Sequence, residues 1–543
     1  MINLLMCACA QFVYIHLGPK DTKKISISKA LNPFVFVPLG CNYLRGEVQG
    51  VQIFIKFASR NRKLSTMITF VVCLSVLILA YFLYGRVLER VVGIDASADV
   101  PSKTRYDGVD FMPLPRWRIF LIQLLNIAGT GPIFGAILGA CYGPVAFLWI
   151  TLGGIFMGAM HDFMSGVISL RNGGESLPEI IGRYLGKGMH SFTLVVIPVL
   201  MILVGAVFIV TPSQILADKT DIPYLMWVVI VIVYYLVATV LPIDKIIGKI
   251  YPIFGAALIF MALALLVVLF TGDYSIPELL DVDNHHFNAE KLPIVPTLFI
   301  SIACGAISGF HATQSPLMAR CMTSEKQAKP IFFGAMISES IIALIWAAMA
   351  MAFFSGIEGL NTFMRENGSN AGVAVSLICD TTLGRVGSVL ALLGVVIAPI
   401  TSGDTAFRSA RLIIADMIKY DQKPIYKRLV VSLPLFAIGV FIAFVDFDVI
   451  WRYFAWSNQA LSVLTLWMIT AWLVRRGSRA TILALVPAVI MTYICSSFIF
   501  VSGQFLGLGA TTQAYIYGGA LTAVISGLLM LKIYKNGKQG VQV

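Results

Sequence analysis

Charge is scarce in this sequence. Only 13% of its 543 residues are Asp, Glu, Lys or Arg, against about 25% in a water-soluble globular protein. About half of the polar coat that would keep such a surface in water is missing. Familiar catalytic punctuation is missing as well. No Walker A run occurs, so nothing in these residues couples to ATP in that way, and neither HExxH nor a nucleophile elbow is present. Nine cysteines form no CxxC pair and no Cys/His spacing of the zinc type. Read one by one they are small apolar fillers of helices. The six histidines and the acids make no tight cluster along the chain.

What the sequence does have is apolar length. It is 58% hydrophobic, with a mean hydropathy of +0.85. Runs of about 20 apolar residues recur, the length needed to cross a ~30 Å hydrocarbon core as a helix. Thirteen spans are expected. The first six cover residues 67–85, 119–142, 145–168, 192–216, 224–241 and 251–271. The other seven cover 294–318, 331–354, 386–407, 429–445, 449–473, 480–501 and 514–533. The fold class is an all-α polytopic membrane protein.

Charge between the spans sets the orientation. The net charge is +12, a balance that in a soluble protein would raise nucleic acid as a partner, but the basic residues sit in short gaps between apolar runs. Alternate gaps together hold 24 Lys and Arg, while the intervening gaps hold only Lys219, Lys291, Arg365 and Arg385. Retention of Lys and Arg on the cytoplasmic side makes the first set internal and the C-terminus cytoplasmic. Residues 1–66 then fall outside, although they carry nine Lys and Arg against two acids. Their apolar stretches are too short to span. The expectation is that translation starts at Met67 and that 1–66 is a non-native, over-extended segment; an unusual N-terminal extension such as a targeting segment is the alternative.

Two spans are interrupted by poor helix formers. The second contains Asn126-Ile-Ala-Gly129-Thr130-Gly131-Pro132, and the seventh contains Cys304-Gly-Ala-Ile-Ser308-Gly309-Phe-His311 with Pro316 beyond. They lie five spans apart, and an odd number of spans inverts the second copy. Residues 119–271 and 294–473 therefore read as two five-span inverted repeats. Residues 67–118 form a leading span and loop, and 480–543 two accessory spans and a tail. Gly/Pro-interrupted helices at matching positions point to a midplane solute site, because unwound backbone exposes N–H and C=O groups. Glycine used for close helix packing is the competing reading.

Several stretches carry a family likeness: Gly129–Gly135, His161-Asp-Phe, Arg171-Asn-Gly with Glu175 and Glu179, residues 299–311 (FISIACGAISGFH), and Ser402-Gly-Asp404-Thr with Arg408 and Arg411. With them the chain resembles the carbon starvation protein A (CstA) family, from the first span to the end of the ninth. After His311 the run Ala-Thr-Gln-Ser-Pro departs from the family's Ser/Thr/Lys-rich continuation. The resemblance implies a bacterial or archaeal inner-membrane carrier related to the amino acid–polyamine–organocation superfamily, with a LeuT-like 5+5 inverted repeat. It also implies uptake of peptides or pyruvate during carbon starvation, with H+ or Na+ as coupling ion and no other cofactor. The partners expected are the lipid bilayer and a small organic solute or short peptide, not nucleic acid; the sequence is silent on oligomeric state.

Candidate site residues follow. Asn126, Gly129, Thr130 and Gly131 at the first break, and Ser308, Gly309, His311 and Gln314 at the second, are expected to contact the solute. In the superfamily arrangement the ninth span faces the broken second span, so Thr401, Ser402 and Asp404 could hold a cation with carbonyls near Asn126–Gly129, since hard cations prefer oxygen ligands; Asp404 could instead carry a proton. The alternative for Asp404 is an i,i+4 pair with Arg408 at a helix end. Glu339 is a candidate proton site or internal gate, and His161 with Asp162 near the end of the third span either titrates or anchors that end. No residue is assigned to catalysis or to a resident metal. A nutrient sensor on a carrier fold, or an intramembrane enzyme using His161, Asp162 and His311, are the competing functions.

Overall fold

A computed structural model describes residues 67–538 except 242–246, 423 and 445–446; the expected N-terminal extension lies outside the described residues. All described residues belong to one compact unit that runs to Val543, and among them every regular element is helical.

Every expected span coincides with a helical stretch, but the helices are not equal. The chain runs from α1 (Ile68–Val92) through a loop to α2 (Arg116–Ala128) and α3 (Gly131–Ala140), then α4 (Val145–Arg171). Next come α5 (Leu177–Leu185), α6 (Lys187–Lys219), α7 (Tyr224–Val240) and α8 (Ile247–Thr271). After an outer loop, α9 is a short piece, Ile294–Leu298 continued by Phe299–Ser301, and α10 is Gly309–Ala319. The long α11 follows (Glu325–Phe353). Then come α12 (Ile357–Glu366), α13 (Ala371–Ala391), and α14, built from Leu392–Ile397 and Ala398–Met417. The last four are α15 (Ile425–Ile442), α16 (Phe447–Arg475), α17 (Ile482–Val501) and α18 (Thr512–Lys538). Among the described residues nine helices are long and apolar enough to cross a membrane, or ten when the bent α2–α3 pair is one span. The remaining expected spans correspond to the shorter α7 and to the interrupted α9–α10 and α13–α14 stretches, so the count of thirteen is not reached on length and composition among the described residues.

Burial separates core from periphery. The apolar window of α11 is 89% buried, whereas that of α18 is only 17% buried; the first is walled in by protein and the second presents its side chains to lipid. In a bilayer every backbone donor and acceptor must be satisfied within protein, so irregular chain is tolerated only where other helices enclose it. Both breaks meet that condition. At the first, Gly129 takes φ +30°, and the axes of α2 and α3 diverge by 53°. At the second, Ile302 leaves the helical region at ψ 74°, and regular helix resumes only at Gly309. The breaks touch each other: a Cβ on Gly131 would lie 2.3 Å from Cys304 Sγ. Gly309 lets α10 press on α16, since its Cβ would lie 2.5 Å from both the Asn458 carbonyl and the Ser462 nitrogen.

Polar cross-ties hold the loop ends. The loop before α2 buries Asp110 at 4% exposure beneath α14, where Arg408 donates to Asp110 Oδ1 (3.3 Å) and to the Ala238 carbonyl (2.9 Å). Arg411 Nη2 lies 3.7 Å from Asp110 Oδ2, and Arg411 Nη1 donates to Gln422 (2.9 Å). Burial by itself would raise the Asp110 carboxyl, but the Arg411 and Arg408 guanidiniums outweigh it and hold it below the usual carboxylate range. Because the folded-state value is depressed, this stabilisation is present above the ordinary carboxylate pKa and is lost as pH falls through the folded one. On the same side Glu325 accepts from Arg171 Nε (2.5 Å) and from the Asp95 N–H (2.6 Å).

Two outcomes test this packing. Gly309→Ala should lower the thermal midpoint of the purified protein, with an overpacking cost of about 1–3 kcal/mol, whereas Gly188→Ala, with nothing within 4 Å of its Cβ, should not lower it. Asp110→Asn leaves buried guanidinium charge without its carboxylate and should cost about 3 kcal/mol, read as a fall in the same midpoint; an unchanged melt would show that the tie contributes nothing.

Candidate solute and charge site

Around the first break, polar side chains are buried without protein partners. Asn126 and Thr130 are both fully buried. Neither atom of the Asn126 amide, nor Thr130 Oγ1, has a hydrogen-bond partner among the described residues. Such groups are costly unless something pairs them. Gly129 is wedged between Phe208 and Ser402, whose Oγ would lie 3.4 Å from an added Cβ. Across the second break, Gln314 donates to Thr313 Oγ1 (3.0 Å), while its Oε1 has no partner among the described residues. Ser308 is tied down instead: Asn458 Nδ2 donates to its Oγ (2.9 Å) while Asn458 Oδ1 accepts from the Phe310 N–H (2.8 Å).

The ninth expected span is longer than its apolar run. α14 continues to Met417, so Asp404 lies within the helix at 1% exposure rather than at its end. Tyr251 OH on α8 donates to Asp404 Oδ2 (2.7 Å), and Arg408 donates to Asp110. In place of the alternative i,i+4 hydrogen-bonded pair, Asp404 is tied to α8 and Arg408 to the loop before α2. Ser402 donates to the Leu125 carbonyl (3.2 Å), placing α14 against the backbone just before the first break, and Thr401 donates to Ala398 O (2.8 Å).

The largest departure from the linear reading concerns His161 and Asp162. The expected third span stops at residue 168, and these residues read as an interfacial pair near its end. In the structure α4 runs to Arg171, and both side chains are fully buried. A π-helical segment, Trp149–Ala159, immediately precedes them; such segments are rare and recur at functional sites. His161 Nδ1 meets Asp162 Oδ1 at 2.8 Å, and Asp162 Oδ2 meets His311 Nδ1 at 2.9 Å. On the far side of the ring, His311 Nε2 lies 3.5 Å from Glu339 Oε2. Three helices, α4, α10 and α11, thereby assemble a continuous polar chain, His161–Asp162–His311–Glu339, from residues up to 178 positions apart in numbering. The sequence scattered into separate roles what the fold joins into one cluster.

Other members were missed. Tyr251, Asp110, Asn458 and Gln459 went unremarked, although the polar run Ser457-Asn-Gln459 inside an apolar span was a usable signal. Gln459 Nε2 donates to the Phe299 carbonyl (3.3 Å), satisfying backbone near the second break.

With this geometry in view, the likenesses to known proteins become interpretable. The family described as carbon starvation protein CstA matches residues 65–225 and 210–385. An uncharacterised membrane protein of Haemophilus influenzae is 39% identical over 365 residues, 58% of this chain and 97% of the relative. A peptide transporter CstA of Campylobacter jejuni is 24% identical over 79% of each chain. The pyruvate/proton symporter BtsT of Escherichia coli is 25% identical over 63% of this chain and 58% of its own. Among solved structures, Mhp1, a nucleobase-cation-symport-1 family transporter, superposes with a TM-score of 0.50 at 13% identity, covering 79% of this chain and 94% of Mhp1. That likeness is one of fold. A multi-pass helical protein with a transporter fold, matched over more than half its length by one family description, belongs to the carbon starvation protein CstA family.

Proposed function

We propose that this protein is a secondary carrier that takes up a small carbon source, a pyruvate-type organic acid or a short peptide, across the inner membrane by alternating access coupled to H+ or Na+. The observation that carries this reading is the contact between the two helix breaks, with unpartnered Asn126, Thr130 and Gln314 buried around it. An amide and a hydroxyl both donate and accept, which suits a carboxylate or a peptide unit. Gly129, Gly131, Ser308 and Gly309 would shape the solute site through backbone, and His311 borders it. Peptide transporters and a pyruvate/proton symporter among the relatives favour this solute class.

In this reading residues 119–271 and 294–473 are the two inverted five-span repeats of a thirteen-span chain whose C-terminus is cytoplasmic. The likeness of fold to Mhp1 supports the arrangement. Thr401, Ser402 and Asp404 form the coupling station beside the Leu125 carbonyl. His161, Asp162 and Glu339 are the second place where the chain holds charge. A carrier needs such buried polar groups, whereas a passive structural protein would be more stable with apolar ones.

Reconstitution in liposomes decides the matter. Labelled pyruvate and labelled dipeptides should enter saturably under an imposed proton or sodium gradient. Asp404→Asn should abolish accumulation while leaving the fold intact. Asn126→Ala should raise the apparent KM about tenfold or more, the loss of one hydrogen bond to a charged group. Tight binding without flux would favour a sensor, chemical conversion of the solute an enzyme, and the absence of gradient-driven uptake of either solute would remove the proposal.

A further inference from the structure

Cys304, His311 and Glu339 present a thiol, an imidazole nitrogen and a carboxylate that all lie within 4.8 Å of one another, and all three residues are buried. They come from within the second break, from the helix that follows it and from α11. His311 Nε2 and both Glu339 oxygens have no hydrogen-bond partner among the described residues, so the polar atoms that point inward are unspent. The other nitrogen of the ring is already occupied by Asp162 Oδ2 at 2.9 Å, and Asp162 is braced in turn by His161 at 2.8 Å. A carboxylate on one imidazole nitrogen is the support that fixes a metal-binding tautomer and turns the second nitrogen toward an ion.

We propose that Cys304 Sγ, His311 Nε2 and the Glu339 carboxylate form a binding site for one divalent transition-metal ion of the Zn2+ or Co2+ type, with Asp162 as the positioning residue for His311. The donor set selects the ion: a thiolate with an imidazole suits borderline metals and disfavours Mg2+ and Ca2+, which take oxygen ligands. Zinc binds these donors at about 2.0–2.3 Å, so that tetrahedral ligand atoms stand ~3.3–3.7 Å apart. His311 and Glu339 already have that separation, at 3.5 Å, and the thiol, within 4.8 Å of both, has at most about an ångström to close. Three protein ligands leave a fourth position for water. On binding, the Cys304 thiol and any proton on the imidazole or carboxylate pass to solvent, since only deprotonated groups ligate.

The site has a mechanical consequence. Cys304 lies within the break, His311 follows it, and Glu339 is on α11, so one ion ties the interrupted segment to the helix after it and to its neighbour. Metal binding would therefore hold this region in the arrangement seen here and oppose the rearrangement that transport needs. This inference does not rest on the identity of the solute.

The test uses the full-length protein in detergent, dialysed against EDTA and titrated with Co2+ alone, then with Zn2+ alone. One Co2+ should bind per chain with a thiolate-to-cobalt charge-transfer band, and one equivalent of Zn2+ should displace it. Cys304→Ser should lose the band, whereas Cys321→Ser, at a buried cysteine elsewhere, should keep it. Asp162→Asn should keep the band and weaken binding about tenfold to a hundredfold. Glu339→Gln repeats the test should Cys304→Ser not fold, and should lower affinity by a comparable factor. No stoichiometric binding by the natural protein, or a band that survives Cys304→Ser, would overturn the proposal, and unchanged affinity in Asp162→Asn would remove the role given to that residue. Solute flux without metal binding would leave the carrier reading standing, and metal binding without flux would do the reverse.

Discussion

A helix may be interrupted inside a bilayer only if protein supplies what water cannot. The whole arrangement depends on this constraint. Residues 129–130 and 302–308 leave helical geometry, and their freed backbone groups must be enclosed by other helices. The enclosure is tight because glycine permits it: Gly131 seats against Cys304, and Gly309 against the backbone at Asn458 and Ser462. Asn458 and Gln459 then donate to or accept from groups at the second break, so α16 works as its polar backing. Interruption, close packing and polar rescue are one device, and removing any part would leave donors or acceptors stranded.

The same enclosed space explains where charge is found. A carboxylate or guanidinium surrounded by hydrocarbon is expensive, and the buried charged groups here are drawn to partners, Asp404 to Tyr251 and most of the others into clusters. Toward one end, Asp110 meets Arg408 and Arg411 and pins a connecting loop beneath α14. Deeper, His161, Asp162 and His311 are joined at hydrogen-bonding distances, and Glu339 on a third helix stands 3.5 Å from the far side of the His311 ring. The first group sets two guanidiniums against one carboxylate and reads as an anchor, although Arg408 Nε and Arg411 Nη2 have no hydrogen-bond partner among the described residues. The second ends in unpartnered atoms at His311 and Glu339, and a group with unspent valence is the one able to receive something from outside. Asn126 and Thr130 share that property at the first break.

Much of this was readable in advance, for definite reasons. Apolar runs must match the bilayer thickness, so helix positions such as α1, α8 and α17 followed from length alone. Gly129, Gly131 and Pro132, and the Gly305 to Gly309 segment, announced the breaks because those residues lack helix preference or a donor. The likeness of residues 299–311 to the CstA family pointed to the same family as the later comparisons. The reading faltered where polarity rather than apolarity decides. α4 and α14 run past the ends of their hydrophobic stretches, and this moved His161, Asp162 and Asp404 from expected helix ends into the interior. A rule that places charge at membrane boundaries errs for charges that have partners.

Composition, the spacing of apolar runs and the alternation of basic gaps determined that this chain lives in a membrane, where its helices lie and which of them are interrupted, because solvation in lipid acts on each segment by itself. Tertiary structure alone decided that Asp110 belongs with Arg408, that Tyr251 belongs with Asp404, and that Asp162, His311 and Glu339 are neighbours. Apart from His311 and Glu339, these pairings join residues 149 or more positions apart, and the energy that selects them, the cost of burying an unpaired polar group, exists only once helices have come together and excluded the alternatives.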